Sequence, residues 1–189
     1  INMRKQAQDS LDRLLSQNYI ARNGDTYTFL TDDEQDIARE IRNTTVDSAM
    51  IVQSIAQIIF GDLYVSKKFR FDKNDFSYDQ IVDETVIGQL SGSIRLHILT
   101  VASDLYNAGD PALIMKSSVE NEAIVLLSSS TPYFEEIENA MKIRKYVKSR
   151  NVAQLPEAIQ AIIRGRQQQA TAHEKRAKEY IMASILDAK

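Results

Sequence analysis

Apolar residues recur at helical spacing towards both ends of the chain and at strand spacing between them. Ala7, Leu11, Leu14 and Leu15 form one side of a predicted helix over residues 2–17, with Arg4, Lys5, Gln6, Asp9 and Arg13 assigned to the other. Residues 19–22 and 26–30 read as short strands around Asn23-Gly24-Asp25, a favoured hairpin turn because its residues tolerate positive φ. Thr31-Asp32-Asp33-Glu34 is a capping box, and its aspartates suit the positive end of a helix running to about Asn43. A second helix, capped by Asp47 or Ser48, is expected to end near Gly61 and to bury Met50, Ile51, Ile55, Ile58, Ile59 and Phe60.

The period then changes to two. In residues 67–72, Phe69 and Phe71 share one side and Lys68, Arg70 and Asp72 the other. Lys73-Asn74-Asp75 reads as a turn, and residues 76–92 as irregular chain punctuated by Gly88 and Gly92. Residues 93–101 alternate as a strand, with Ile94, Leu96, Ile98 and Thr100 on one face and Arg95, His97, Leu99 and Val101 on the other. A loop over 107–111 and a short helix over 112–117 lead to Ala-Ile-Val-Leu-Leu within 122–128. That continuous apolar run is typical of a strand buried on both faces.

Thr131 and Pro132 read as the cap and first residue of a helix to about Ser149, with Phe134, Ile137, Met141 and Tyr146 on its apolar side. A short helix over 157–164 stops before Gly165. A long polar helix follows over 167–188, whose thin stripe of Ala170, Ala177, Tyr180, Ile181 and Ile185 is expected to pack on protein beyond this chain. The fold class is therefore α+β (mixed α/β), with one strand–helix–strand crossover unit in the middle. Residues 1–45 form a partial winged helix, with 2–17 as recognition helix and 23–25 as wing tip. Residues 46–150 form the mixed α/β domain and 151–189 a helical segment. Phe69, Phe71, Phe76 and Tyr78 are expected to staple the winged helix to the α/β layer.

Charge changes this picture modestly. The net charge of −3 rules out a chain that binds nucleic acid by bulk electrostatics. Residues 1–130 hold 12 Lys and Arg against 19 Asp and Glu, a balance of −7; residues 131–189 hold 11 against 7, a balance of +4. The basic last third reads as a solvated helix face. With no cysteine, disulfide and thiol chemistry are excluded, and the chain is expected in the cytoplasm. No run has the ~20 apolar residues of a membrane span. Ile1, without an initiator Met and inside a predicted helix, reads as the start of a piece of a longer protein.

No catalytic, cofactor or metal site is legible. There is no Gly-x-x-x-x-Gly-Lys-Ser/Thr loop, and Asn107-Ala108-Gly109-Asp110 lacks the lysine that reaches phosphates. His97 and His173 are far apart and without cysteines, which excludes the usual zinc sites. His97 reads as a partly buried strand residue and His173 as solvated. Asp32, Asp33, Glu34 and Asp36 point different ways from a helix start and read as capping residues. Asp72, Asp75, Asp79, Asp83 and Glu84 have no base fixed by spacing, and Ser128-Ser129-Ser130 reads as a run of small residues before a helix. Arg4, Lys5, Arg13 and Arg22 are the candidate nucleic-acid contacts, opposed by Asp9, Asp12 and Asp25 on the same surface.

The stretch 67–100 carries a resemblance. An aromatic-basic strand, then Phe76-x-Tyr78-Asp79-Gln80-x-Val82-Asp83, then a strand ending in Leu99-Thr100, resembles the large P-loop ATPase of BREX bacteriophage-resistance systems. Leu11-x-x-Leu14-Leu15, Tyr19-Ile20, Gly24-x-x-Tyr27-x-Phe29-Leu30-Thr31, an acidic helix ending near Glu40-Ile41, and Ile143-Arg144-Lys145-Tyr146 agree with it. Where the family commonly has Asn-Arg, this chain has Asp79-Gln80, so no basic role is carried over there. The resemblance implies a non-catalytic segment of a large bacterial ATPase. ATP and Mg²⁺ would bind the parent protein outside this chain, and the partners would be other subunits of a defence complex. The segment itself would act as scaffold or docking region, with no membrane partner. The alternatives are a winged-helix DNA-binding regulator and a homo-oligomer formed through residues 167–188.

Overall fold

The computed structural model describes residues 3–23, 26–90 and 94–188, the side chain of Asn23 excepted. The architecture is mixed α+β, in two compact units. One comprises Ile1–Thr45 and Lys142–Gln168; the other comprises Val46–Met141 and Gln169–Lys189.

The first unit opens with α1 (Met3–Ser16). Its end is fixed by local chemistry. Asn18 takes the left-handed conformation, with φ 60°. The amide of Tyr19 donates to Leu14 O and that of Asn18 to Leu15 O, the two bonds of a Schellman cap. Strands β1 (Ile20–Asn23) and β2 (Thr26–Phe29) pair antiparallel, from Ile20 opposite Phe29 to Asn23 opposite Thr26. The expected wing-tip residues Gly24 and Asp25 lie outside the described residues. Helix α2 (Asp32–Asn43) carries the capping box its sequence announces. Glu34 N donates to Thr31 Oγ1 at 3.3 Å, and Thr31 N donates to Glu34 Oε2 at 2.8 Å. At the other end of α2, Arg42 donates to Ser16 O and Asn18 Oδ1, tying α2 to the cap of α1. Ile20, Ile37, Ile143, Tyr146 and Ile163 are the unit's largest buried apolar residues, so its core is small.

Two long helices pass through both units: α5 (Tyr133–Lys148) and α6 (Glu157–Leu186). Helix α6 is a single 30-residue element. The expected break at Gly165 does not occur. A mid-helix glycine costs only about 0.5–1 kcal/mol relative to alanine. Ile163, Ala170, Ala177 and Ile181, each at most 1 % exposed, anchor the helix on either side of it. The thin stripe is thus covered by this chain itself, not left for an absent remainder.

In the second unit, Asp47 caps α3 (Ser48–Gln57) through Oδ1 on the Ala49 amide, at 3.0 Å. The helix then widens into a π turn over Ile58–Leu63, where Gln57 lies over Gly61. Met50 is 53 % exposed, but Ile51, Val52, Ile55, Ile59 and Phe60 are core. The sheet contains β3 (Lys68–Phe71), β4 (Asn74–Val82), β5 (Thr85–Ile87), β6 (Ile94–Leu99) and β7 (Glu122–Leu126). Its order is β3-β4-β6-β7, with β5 also paired to β4. β4, β6 and β7 run parallel, and α4 (Asp110–Glu120) is the crossover between β6 and β7.

Residues 76–92 are therefore not irregular. β4 and β5 fill most of them, and the turn before β4 is Asp72-Lys73. Gly92 and Ser93 lie outside the described residues. Both two-residue turns, Asp72-Lys73 and Asp83-Glu84, begin with an aspartate at positive φ, 54° and 49°. β4 escapes sequence reading because its second half is buried whatever its polarity: Asp79, Gln80, Ile81 and Val82 are all at most 8 % exposed. On one side of the sheet Val82, Leu96, Ile98 and Val125 pack with α3, α5 and the end of α6. On the other, α4 sets Leu113 against Ile124 and Leu126. β7 is an edge strand with packing on both faces, but half-buried and not the fully buried strand its apolar run suggests.

Candidate functional site

The parallel register places Asp79, Arg95 and Glu122 abreast on the α4 side of the sheet, with Ile81 beside His97. A buried polar chain crosses that side. His97 Nε2 lies 2.7 Å from the carbonyl oxygen of Asp83, which only accepts, so Nε2 carries a proton. His97 Nδ1 lies 3.0 Å from Glu122 Oε2. Glu122 also meets Arg95 Nη1 at 3.3 Å and Lys116 Nζ at 3.4 Å, and its side chain is 2 % exposed. Burial alone would raise the Glu122 carboxyl, but the hydrogen bond and charge of His97, with Lys116 and Arg95, outweigh it and hold the group below its usual range. Glu120 closes the network, 2.9 Å from Lys116 and 3.4 Å from Arg95; its hydrogen bond is the largest influence raising the Lys116 ammonium.

At the carboxyl ends of β4 and β6, the Asp83 carboxylate accepts from Thr100 N at 2.7 Å and Thr100 Oγ1 at 2.6 Å, with both residues buried. These bonds lock the β4–β5 turn to the end of β6. Tyr133 is 1 % exposed, and burial pushes its hydroxyl up to about 12. Thr131, expected to cap α5, instead donates to Tyr180 O at 3.2 Å and lies 2.8 Å from Ser184 Oγ. These groups are hydrogen-bonded to one another within the chain.

A groove of about 410 Å³ opens at the other end of the sheet. Tyr64, Phe69, Phe71, Phe76 and Tyr78 line it, with Ile94, Leu96 and Ala123. Phe69 and Phe76 are directly paired across β3 and β4, and the rings of Tyr64 and Tyr78 lie 6.3 Å apart. The hydroxyl of Tyr78 donates to Ser66 O, and burial raises it. Phe69, Phe71 and Phe76 are 56, 66 and 42 % exposed. They are surface residues, not the buried staple that period-two alternation suggests. Among the described residues Arg95 is the one charged residue lining the groove, and Glu120 and Glu122 hold it. The opposite face of the hairpin carries Lys68 and Arg70, with Arg70 3.9 Å from Asp75.

Arg4, Lys5, Arg13 and Arg22 are all exposed. At about 100° per residue, Arg4 and Arg13 stand about half a turn apart on α1, and Arg4 falls near the azimuth of Leu11 and Leu15. Arg13 donates to Asp9 O, and Arg22 lies 5.8 Å from the Tyr27 ring centre. The helix does not gather its three cations, Arg4, Lys5 and Arg13, on one face, and Arg22 lies on β1. His173, expected to be solvated, is half-buried, with Nδ1 2.7 Å from Glu136 Oε2, which also accepts from Arg176 Nε at 3.0 Å. Among the described residues no single helix is long and apolar enough to cross a membrane, and no group of three or more metal-ligating side chains is placed to hold a metal.

The groove was missed because its residues are strand-forming aromatics that read as core. The Glu122 network has no local signal: its members join only when the crossover sets β7 beside β6. A family model described as BREX ATP-binding protein BrxC 4th domain with six-stranded beta sheet matches residues 44–189. No solved structure matches the chain significantly.

Proposed function

The chain belongs to the BrxC family of BREX ATP-binding proteins, a segment of a phage-defence protein, and from this we propose that it is a non-catalytic docking region of its parent ATPase. The observation that carries the reading is the exposed aromatic groove. Three phenylalanines held on the surface by a hairpin constitute an apolar patch of the kind that marks protein interaction sites. Aromatic side chains also dominate the energetic centres of such interfaces. The polar chain behind the groove serves to hold β4, β6 and β7 rigid, so the aromatics are presented on a fixed frame. The partner is another protein subunit of the defence complex, and nucleotide chemistry belongs to another part of the parent protein.

The test is the triple substitution Phe69→Ser, Phe71→Ser, Phe76→Ser in the full-length protein, in bacteria carrying the complete defence system. Expected is loss of protection in a phage plating assay, and loss of subunit co-purification, at unchanged protein abundance. Unchanged plating and co-purification would remove the docking reading. ATP hydrolysis by the purified chain would remove the non-catalytic one.

The order α1–β1–β2–α2, with Arg22 exposed on the hairpin, keeps a winged-helix DNA-binding module as a second reading. It predicts salt-sensitive binding to duplex DNA that is lost on changing Arg4, Lys5, Arg13 and Arg22 to Glu. No shift of duplex at low salt would remove it.

A further inference from the structure

We draw no further inference here: the strongest candidate, the apolar groove of about 360 Å³ between α4 and the free edge of β7, carries none because nothing in the structure shows what covers it.

Discussion

His97 on β6 bridges the chain on either side of it: its Nε2 meets Asp83 O at 2.7 Å on the β4 side, and its Nδ1 meets Glu122 Oε2 at 3.0 Å on β7. Removing the carboxylate leaves buried His97 without its partner and takes the shared anion from the partly exposed Arg95 and Lys116. Glu122→Ala is expected to lower the unfolding free energy by about 3–5 kcal/mol, the range for breaking one partner out of a buried ion pair. Glu122→Gln, which keeps the shape and one acceptor, is expected to cost less. Urea denaturation of the three proteins checks the order; equal midpoints would show that the pair does not hold the sheet.

The same carboxylate sets an acid limit. Its folded pKa lies below its ordinary value of 4.5, so its contribution to stability is present above that value and is lost as pH falls through the folded one. Tyr133 sets an alkaline limit with the opposite sign. Its folded pKa of about 12 lies above the ordinary 10.0, so its contribution is present below pH 10.0 and is lost as pH rises toward 12. Melting temperature against pH is therefore expected to fall at both ends, and Tyr133→Phe should flatten the alkaline end alone. An alkaline fall of unchanged size in Tyr133→Phe would assign it to another group.

Phe76 is exposed at 42 % and opposes Phe69 across the hairpin. Phe76→Ala is expected to cost about 1 kcal/mol or less, near the surface range and well short of the ~3–5 kcal/mol of a core phenylalanine. A thermal melt measures this directly. A large loss would mean that the groove is closed in solution.

Gly165 stands inside α6, with nothing within 4 Å of where a Cβ would lie. Gly165→Ala is expected to stabilise the chain by about 0.5–1 kcal/mol, through lower unfolded-state entropy and better helix propensity. Denaturant unfolding tests the sign. Destabilisation would mean that the helix bends at Gly165.

Local chemistry was legible wherever one residue acts on its near neighbours. The Thr31–Glu34 box, the Asp47 cap and the alternation of β6 are all read directly from order and spacing. Position within the sheet was not. The apolar run of β7 reads as interior because composition reports what a strand can bury, not which neighbours it receives. β4 reads as irregular because Asp79, Gln80 and Asp83 are buried through partners distant in sequence, Thr100 for Asp83 among them. The aromatic residues of 67–78 show the converse. Their alternation gives β3 but not its partner β4, and the same pattern serves a core face or a docking face; exposure of Phe69, Phe71 and Phe76 among the described residues distinguishes the two. The mixed α+β class and the family resemblance of 67–100 agree with the structure and the family match, since both depend on the order of elements along the chain.

The pinning of Arg95 by Glu120 and Glu122 gives the aromatic groove a calorimetric character. With its lining guanidinium already neutralised, uptake of a protein partner there would release few counterions and bury mainly hydrocarbon. Its titration should show a negative heat-capacity change with an affinity nearly flat in salt. A nucleic acid held by Lys68 and Arg70 on the other face of the hairpin would do the reverse, its affinity falling steeply with ionic strength. One titration series in two salt concentrations thus separates the two classes of partner before either is identified.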